Sequence, residues 1–259
     1  MIRQRAWSRW RLVRAFGLAL ALALTAALTM VCHRVAYADL IVTGTRFIYP
    51  ATQQSLTLHT ANIGQHPVLV QSWLDTGDFT SDPSLQTVPF LLTPPVYRLD
   101  AGQRASLLLR YTGERLPQDR ESVFWINFLE VPARDPVQNN LLQLSYRLRM
   151  KVLYRPEGLP GSALDAIANV AWTYHAADHE IEAFNAAPYV VSLARLELDA
   201  KEKPGTFITL MGLTVAPLSR TRFPLPKGET PRAGKGALRY QAANDDGDII
   251  EGTRPLGLQ

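Results

Sequence analysis

Cysteine is almost missing from this 259-residue chain, whose one thiol is Cys32. Acidic residues are missing from its first 38 positions. No apolar period of 3.6 persists after them, so extended helices are not expected. No G-x-S-x-G turn occurs. Gly228 and Gly234-Lys235-Gly236 are spaced one residue too far apart for a phosphate loop, and no Ser or Thr follows Lys235. His175 and His179, with Glu180, would suit a metal only on a helix. With no helix expected there, they are assigned to a solvated turn and no metal is expected. These gaps leave no nucleophile–base pair and no cofactor site, so neither catalysis nor a cofactor is expected.

What is present begins with Arg3, Arg5, Arg9, Arg11 and Arg14, then apolar Ala15–Val31, then Ala36-Tyr37-Ala38 before Asp39. That order reads as a helical secretory signal peptide over residues 1–38, cleaved after Ala38. The apolar run is long enough to leave an uncleaved anchor open. Thr29-Met30-Val31 before Cys32 does not make a lipobox. Six of the 27 basic residues and none of the 23 acidic ones lie in residues 1–38. The mature chain therefore carries 21 basic and 23 acidic residues, a net charge of −2. The high isoelectric point belongs to the signal and gives no case for nucleic acid. Cys32 leaves with the signal. The exported chain must then hold together through its core alone, which about 220 residues allow.

After Asp39, short apolar runs recur between Pro, Gly, Asn and Asp. Leu40–Val42, Arg46–Tyr49, Ser55–Thr60, Val68–Leu74, Phe90–Leu92, Ser106–Tyr111, Val123–Leu129 and Leu141–Leu153 are predicted strands. Trp73 and Trp125 are expected in the core. Arg155-Pro156-Glu157-Gly158-Leu159-Pro160-Gly161 marks a boundary, which gives domains 39–156 and 157–259. The second has strand candidates at Ile167–Trp172, Ile181–Phe184, Tyr189–Glu197, Thr206–Leu213, Arg220–Phe223 and Ala237–Gln241. Ala163–Asn169 suits a single helical turn. Residues 227–236 suggest a mobile loop, and Glu251–Gln259 a tail with little to pack against. The fold class is all-β, built of sandwiches.

Asn140–Pro156, NLLQLSYRLRMKVLYRP, is the most regular stretch. Leu142, Leu144, Tyr146, Leu148 and Met150 alternate with polar residues, as in a strand with one apolar face. That face serves either its own core or another protein.

The motifs around it resemble the periplasmic chaperones of the chaperone–usher pilus pathway, the PapD-like family. Thr45-Arg46-Phe47-Ile48-Tyr49-Pro50, Leu116-Pro117-Gln118-Asp119-Arg120-Glu121-Ser122, Phe124-Trp125-Ile126-Asn127 and Lys151-Val152-Leu153-Tyr154-Arg155-Pro156 carry the resemblance. It implies two immunoglobulin-like domains in a boomerang, preceded by the signal peptide, in the periplasm. It implies that Arg46 and Lys151 bind the C-terminal carboxylate of a pilus subunit. Leu142, Leu144 and Tyr146 would complete the subunit as a donor strand. Glu121, Arg155 and Asp245 would form a structural charge network between the domains. The implied partners are pilus subunits and an outer-membrane usher, with no nucleic acid and no membrane after signal cleavage. A self-capping homodimer of the free chaperone stays open. The eight residues between Pro132 and Leu141, without cysteine, resemble the family's short loop between these strands, found with multi-subunit fimbriae. The alternative is a two-domain sandwich that binds, or structurally serves, another secreted partner, with Leu142, Leu144 and Tyr146 buried in its own core. Lys151 lies five positions past Tyr146. A bulge, strong twist or corner near Arg149–Lys151 is expected if both are to meet one partner.

Overall fold

The computed structural model describes residues 39–78, 80, 82, 87–133, 144–202 and 205–259, with residues 235–237 described through their backbone alone. The signal segment 1–38, the donor candidate Leu142 and loop residues 134–140 lie outside the described residues.

Nine strands form the first sandwich: β1 (Leu40–Val42), β2 (Arg46–Pro50), β3 (Leu56–Asn62), β4 (Val68–Asp75), β5 (Phe90–Thr93), β6 (Val96–Leu99), β7 (Arg104–Tyr111), β8 (Ser122–Pro132) and β9 (Tyr146–Arg155). They make two sheets, ordered β1-β3-β7-β5 and β2-β9-β8-β4-β6. Alternation explains the sandwich. Val68, Val70 and Leu74 of β4 and Phe124, Ile126 and Phe128 of β8 point inward at 0–6% exposure. Leu58, Leu107 and Leu109 meet them from the facing sheet. Tyr49, Phe90, Tyr111, Phe124 and Tyr154 cluster at one end of this core, Tyr49 and Phe90 edge to face at 5.3 Å. Such aromatic pairs add about 0.5–1.5 kcal/mol beyond their burial. The chain changes sheets between β1 and β2. As a result β2 runs parallel beside the end of β9, from Arg46↔Lys151 to Pro50↔Arg155.

The second core is built by α1 (Ala163–Asn169) and strands β10 (Ala171–His175), β11 (Glu180–Asn185), β12 (Val191–Asp199), β13 (Phe207–Val215), β14 (Ser219–Pro224), β15 (Gly234–Ala243) and β16 (Ile249–Leu258). All seven strands share one hydrogen-bonded sheet, ordered β13-β12-β15-β16-β10-β11-β14. Its two end strands also touch, so the sheet curls around its core.

Several expectations change. Ile167 sits on α1, not a strand. Ser162 Oγ accepts the Asp165 N–H as an N-cap, and Ala166 and Ile167 are buried. Val96–Leu99, for which no strand is predicted, form β6, paired to β4. Residues 227–236 are tied down. The Arg232 N–H donates to Asp199 O at 2.7 Å, and its guanidinium pairs with Asp199. The C-terminal stretch is a central strand. β16 pairs antiparallel with β15 and parallel with β10, and Leu256 is 2% exposed. Pro255 hid it, since proline cannot donate to a ladder. The β15–β16 register shifts between Gly234 and Leu238, beside that proline.

Leu256→Ala should therefore cost about 2–5 kcal/mol in urea unfolding, the range for an excavated core leucine. Leu258→Ala, at a side chain 66% exposed, should change stability by less than ~0.5 kcal/mol.

Candidate functional site

β9 builds most of the site because its alternation never breaks. It pairs with β8 from Glu130↔Tyr146 to Ser122↔Tyr154 without a register shift. Even-numbered side chains turn to the sandwich interior and odd-numbered ones to the outer face. Val152 and Tyr154 are core residues, and Leu148 and Met150 pack partly against that core. Arg147, Arg149 and Lys151 share the opposite face. Of the bulge, strong twist or corner expected near Arg149–Lys151, no bulge occurs, since the pairing with β8 keeps its register. Tyr146 and Lys151 therefore face opposite sides of one strand in continuous register. Leu144 is 51% exposed and Tyr146 half-buried, beyond the stretch that fills the core. Along residues 146–150, the edge of β9 away from β8 carries no strand among the described residues.

At the other end of β9 the parallel pairing puts Arg46 beside Lys151. Both reach across to the second core. Lys151 Nζ donates to Ser192 Oγ at 2.7 Å, and Arg46 Nη1 donates to Ala243 O at 2.8 Å. Arg46 Nε is buried without an acceptor. Neither cation forms an ion pair among the described residues. Burial, reinforced by the neighbouring Arg46 and Arg149, pushes the Lys151 ammonium down to about 7. Burial also lowers Arg46, against the pull of Asp245 and Glu121. Two adjacent, half-dried cations with neutral acceptors could together hold an anion. A guanidinium fork with an ammonium beside it matches a carboxylate. Ser192 and Ala243 had no signal in the sequence. One is a plain serine in an apolar strand, and the other acts through its backbone.

The structure also brings Glu121, Arg155 and Asp245 together. Arg155 Nε donates to Glu121 Oε1 at 2.6 Å, and its two terminal nitrogens donate to Asp245 at 2.6 and 2.8 Å. Glu121 Oε2 accepts the Val190 N–H at 2.7 Å. Burial works to lower Arg155, but Asp245 and Glu121 hold its charge above its ordinary value. The spacing of the YRP motif explains the geometry. Tyr154 faces the core, so Arg155 must face the second domain, and Pro156 ends the strand. Asp245 is presented by the turn between β15 and β16. Gly247 there has φ +90°, and any Cβ would collide with the Thr45 side chain.

Trp73 and Trp125 are not core residues. They lie on the outer face beneath a cationic ladder, with Arg147 over Trp73 at 5.0 Å and Arg149 over Trp125 at 4.1 Å. The ladder is anchored by Asp75, whose side chain is 1% exposed and pairs with Arg149 at 2.5 Å. The shift of these tryptophans follows from strand parity, since both occupy the odd face of their strands. His175 and His179 are not both in a turn. His175 lies on β10 with Nε2 3.4 Å from Glu182 Oε2, and His179 follows in the turn. Among the described residues no cluster of three or more His, Cys, Asp or Glu could hold a metal.

With this geometry in place, comparison with known proteins identifies the class. Residues 39–160 match the pili and flagellar-assembly chaperone model, PapD N-terminal domain. Residues 165–254 match the pili assembly chaperone PapD, C-terminal domain. The chain belongs to this family of pili-assembly chaperones. It is 39% identical over 226 residues to a probable fimbrial chaperone, YadV, of Escherichia coli K12, covering 85% of this chain and 90% of that one. It is 38% identical over 248 residues to the chaperone FimB/FhaD of Bordetella pertussis, covering 93% and 96%. A solved YadV chaperone structure superposes with a TM-score of 0.69 at 38% identity, covering 85% of this chain and all of that one. A chain from the Salmonella enterica SafA pilin–SafB chaperone complex does so at 0.68 and 26% identity, covering 85% and 98%.

Arg155→Ala leaves buried Glu121 without its cation and should cost roughly 3–5 kcal/mol in urea unfolding. Asp245→Asn, at the partly exposed end, should cost about 1 kcal/mol. Lys151→Met should instead stabilise the free protein by about 1–2 kcal/mol, because it removes a buried charge without a counter-ion. Calorimetry at pH 6, where Lys151 is protonated in both states, should show its Tm raised by roughly 2–6 °C.

Proposed function

We propose that this chain is an exported chaperone that binds pilus subunits in the periplasm after cleavage behind Ala38. In this reading Arg46 and Lys151 hold the subunit's C-terminal carboxylate between the two domains. The strand beginning near Leu142 lies along the subunit and supplies Leu142, Leu144 and Tyr146 to its open core. The loaded chaperone then delivers the subunit to an outer-membrane usher, and no step is catalytic. The observation that carries this reading is the pair of half-buried cations, without an ion-pair partner among the described residues, beside a strand edge that carries no strand among those residues. The same edge would let two free chaperones cap each other. The SafA–SafB structure is a pilin–chaperone complex, and this chain superposes on a chain of it across 85% of its length.

The anchor and the strand have separate roles. A fixed carboxylate sets the reading frame, since a one-residue slip would present Gln143 and Ser145 in place of the apolar residues. Each charge-assisted bond is worth ~1.5–3 kcal/mol. Each large apolar side chain buried contributes a similar ~1.5–3 kcal/mol. Neither element outweighs the other, so both should be needed. Leu144 favours this account over a self-contained sandwich, which would bury it.

The test is co-expression with a pilin subunit and recovery of the complex. Lys151→Met and Arg46→Ala should each weaken binding by roughly 10–150-fold. Complex yields equal to the unsubstituted chain, from variants that remain folded, would refute the cleft mechanism.

A further inference from the structure

We propose that the cleft takes up a proton together with its carboxylate, and that Lys151 is the group that receives it. This rests on the carboxylate reading above. The geometry surrounds Lys151 with positive charge. Its strand contributes Arg149, and β2 contributes Arg46 as its direct register partner. β8 offers the Trp125 ring face, its centroid 5.2 Å from Nζ, which attracts a cation weakly but brings no negative charge to neutralise it. β12 offers only the Ser192 hydroxyl. The nearby acids are committed elsewhere. Asp75 is bound to Arg149, and Glu121 and Asp245 are both bound to Arg155. Among the described residues, an ammonium placed here has no counter-ion, so a ligand would have to bring one.

Ser192 suits this cycle because a hydroxyl accepts from an ammonium and donates to an amine. The 2.7 Å contact with Nζ can persist in either charge state, so Ser192 acts as a positioning residue that keeps the amine aimed into the cleft. In the free protein, burial and the two flanking guanidiniums bring Lys151 to about 7. A bound carboxylate favours the charged form and raises it again. The sign follows directly. Below pH 7 the lysine is already charged, and affinity is flat with pH. Above pH 7 each carboxylate bound must recruit a proton, and affinity falls. With a free-state value near 7 and a much higher bound-state value, binding weakens about tenfold between pH 6 and pH 8.

Five lysines in the chain (Lys151, Lys201, Lys203, Lys227 and Lys235) make the titration directly visible. The experiment is 13C-lysine NMR of the processed protein from pH 5 to 11, with Lys151→Met to assign the signal. The probes are the acetylated hexapeptide Ser-Val-Thr-Val-Thr-Tyr with a free C-terminal carboxylate and the same peptide amidated. Lys151 should titrate near 7 alone, and the carboxylate peptide should move it up by more than one unit. The amide should leave it unmoved. A free-protein midpoint near the ordinary lysine value of about 10.4 overturns the proposal while leaving the carboxylate reading intact. A midpoint near 7 on which acid and amide peptides act alike refutes the carboxylate reading, and the proton uptake with it.

Discussion

The strict alternation of β9 is the constraint on which the rest of this molecule depends. A strand cannot turn one side chain without turning its neighbours. Tyr154 in the aromatic core forces Arg155 out into the domain joint. Val152 in the core forces Lys151 into the cleft. The same parity carries Arg149 and Arg147 onto the tryptophans of the outer face. Nine residues in unbroken register with β8, and Arg155 directly after them, thus link core, joint and candidate site.

The two charge clusters near the end of β9 are built on opposite principles. Arg155 is neutralised by two carboxylates and fixes how the domains meet. Arg46 and Lys151 are half-buried and, among the described residues, donate to neutral acceptors without an ion pair, a state that costs stability. The first cluster holds the cleft in the geometry that keeps the second one strained. The free chaperone thereby keeps an unmet electrostatic demand that a ligand's carboxylate can answer.

The sequence showed the architecture well where period-two alternation was clean, as in Val68–Leu74 and Val123–Leu129. It failed where local rules conflict with tertiary pairing. β16 was hidden by Gly252, Pro255 and Gly257, although its neighbours on both sides leave it no freedom. Residues 227–236 looked loose in composition but are bonded through Asp199. Trp73 and Trp125 were placed in the core on hydrophobicity, while parity put them outside. Arg46, Lys151, Glu121, Arg155 and Asp245 were legible only through their motifs. No spacing rule would bring residues 46, 151 and 245 together. Ser192 and the Ala243 carbonyl were illegible, since a hydroxyl and a backbone oxygen carry no pattern of their own.

The central claim is that the unneutralised cation pair receives the end of another chain. The most direct measurement is a crystal structure of this protein bound to a pilin subunit. The account predicts the subunit's terminal carboxylate within ~3.2 Å of both Arg46 and Lys151, with the subunit's edge strand paired along β9 beside residues 144–150. A complex in which the subunit's C-terminus lies elsewhere and the cleft cations keep their contacts to Ser192 and Ala243 would contradict it.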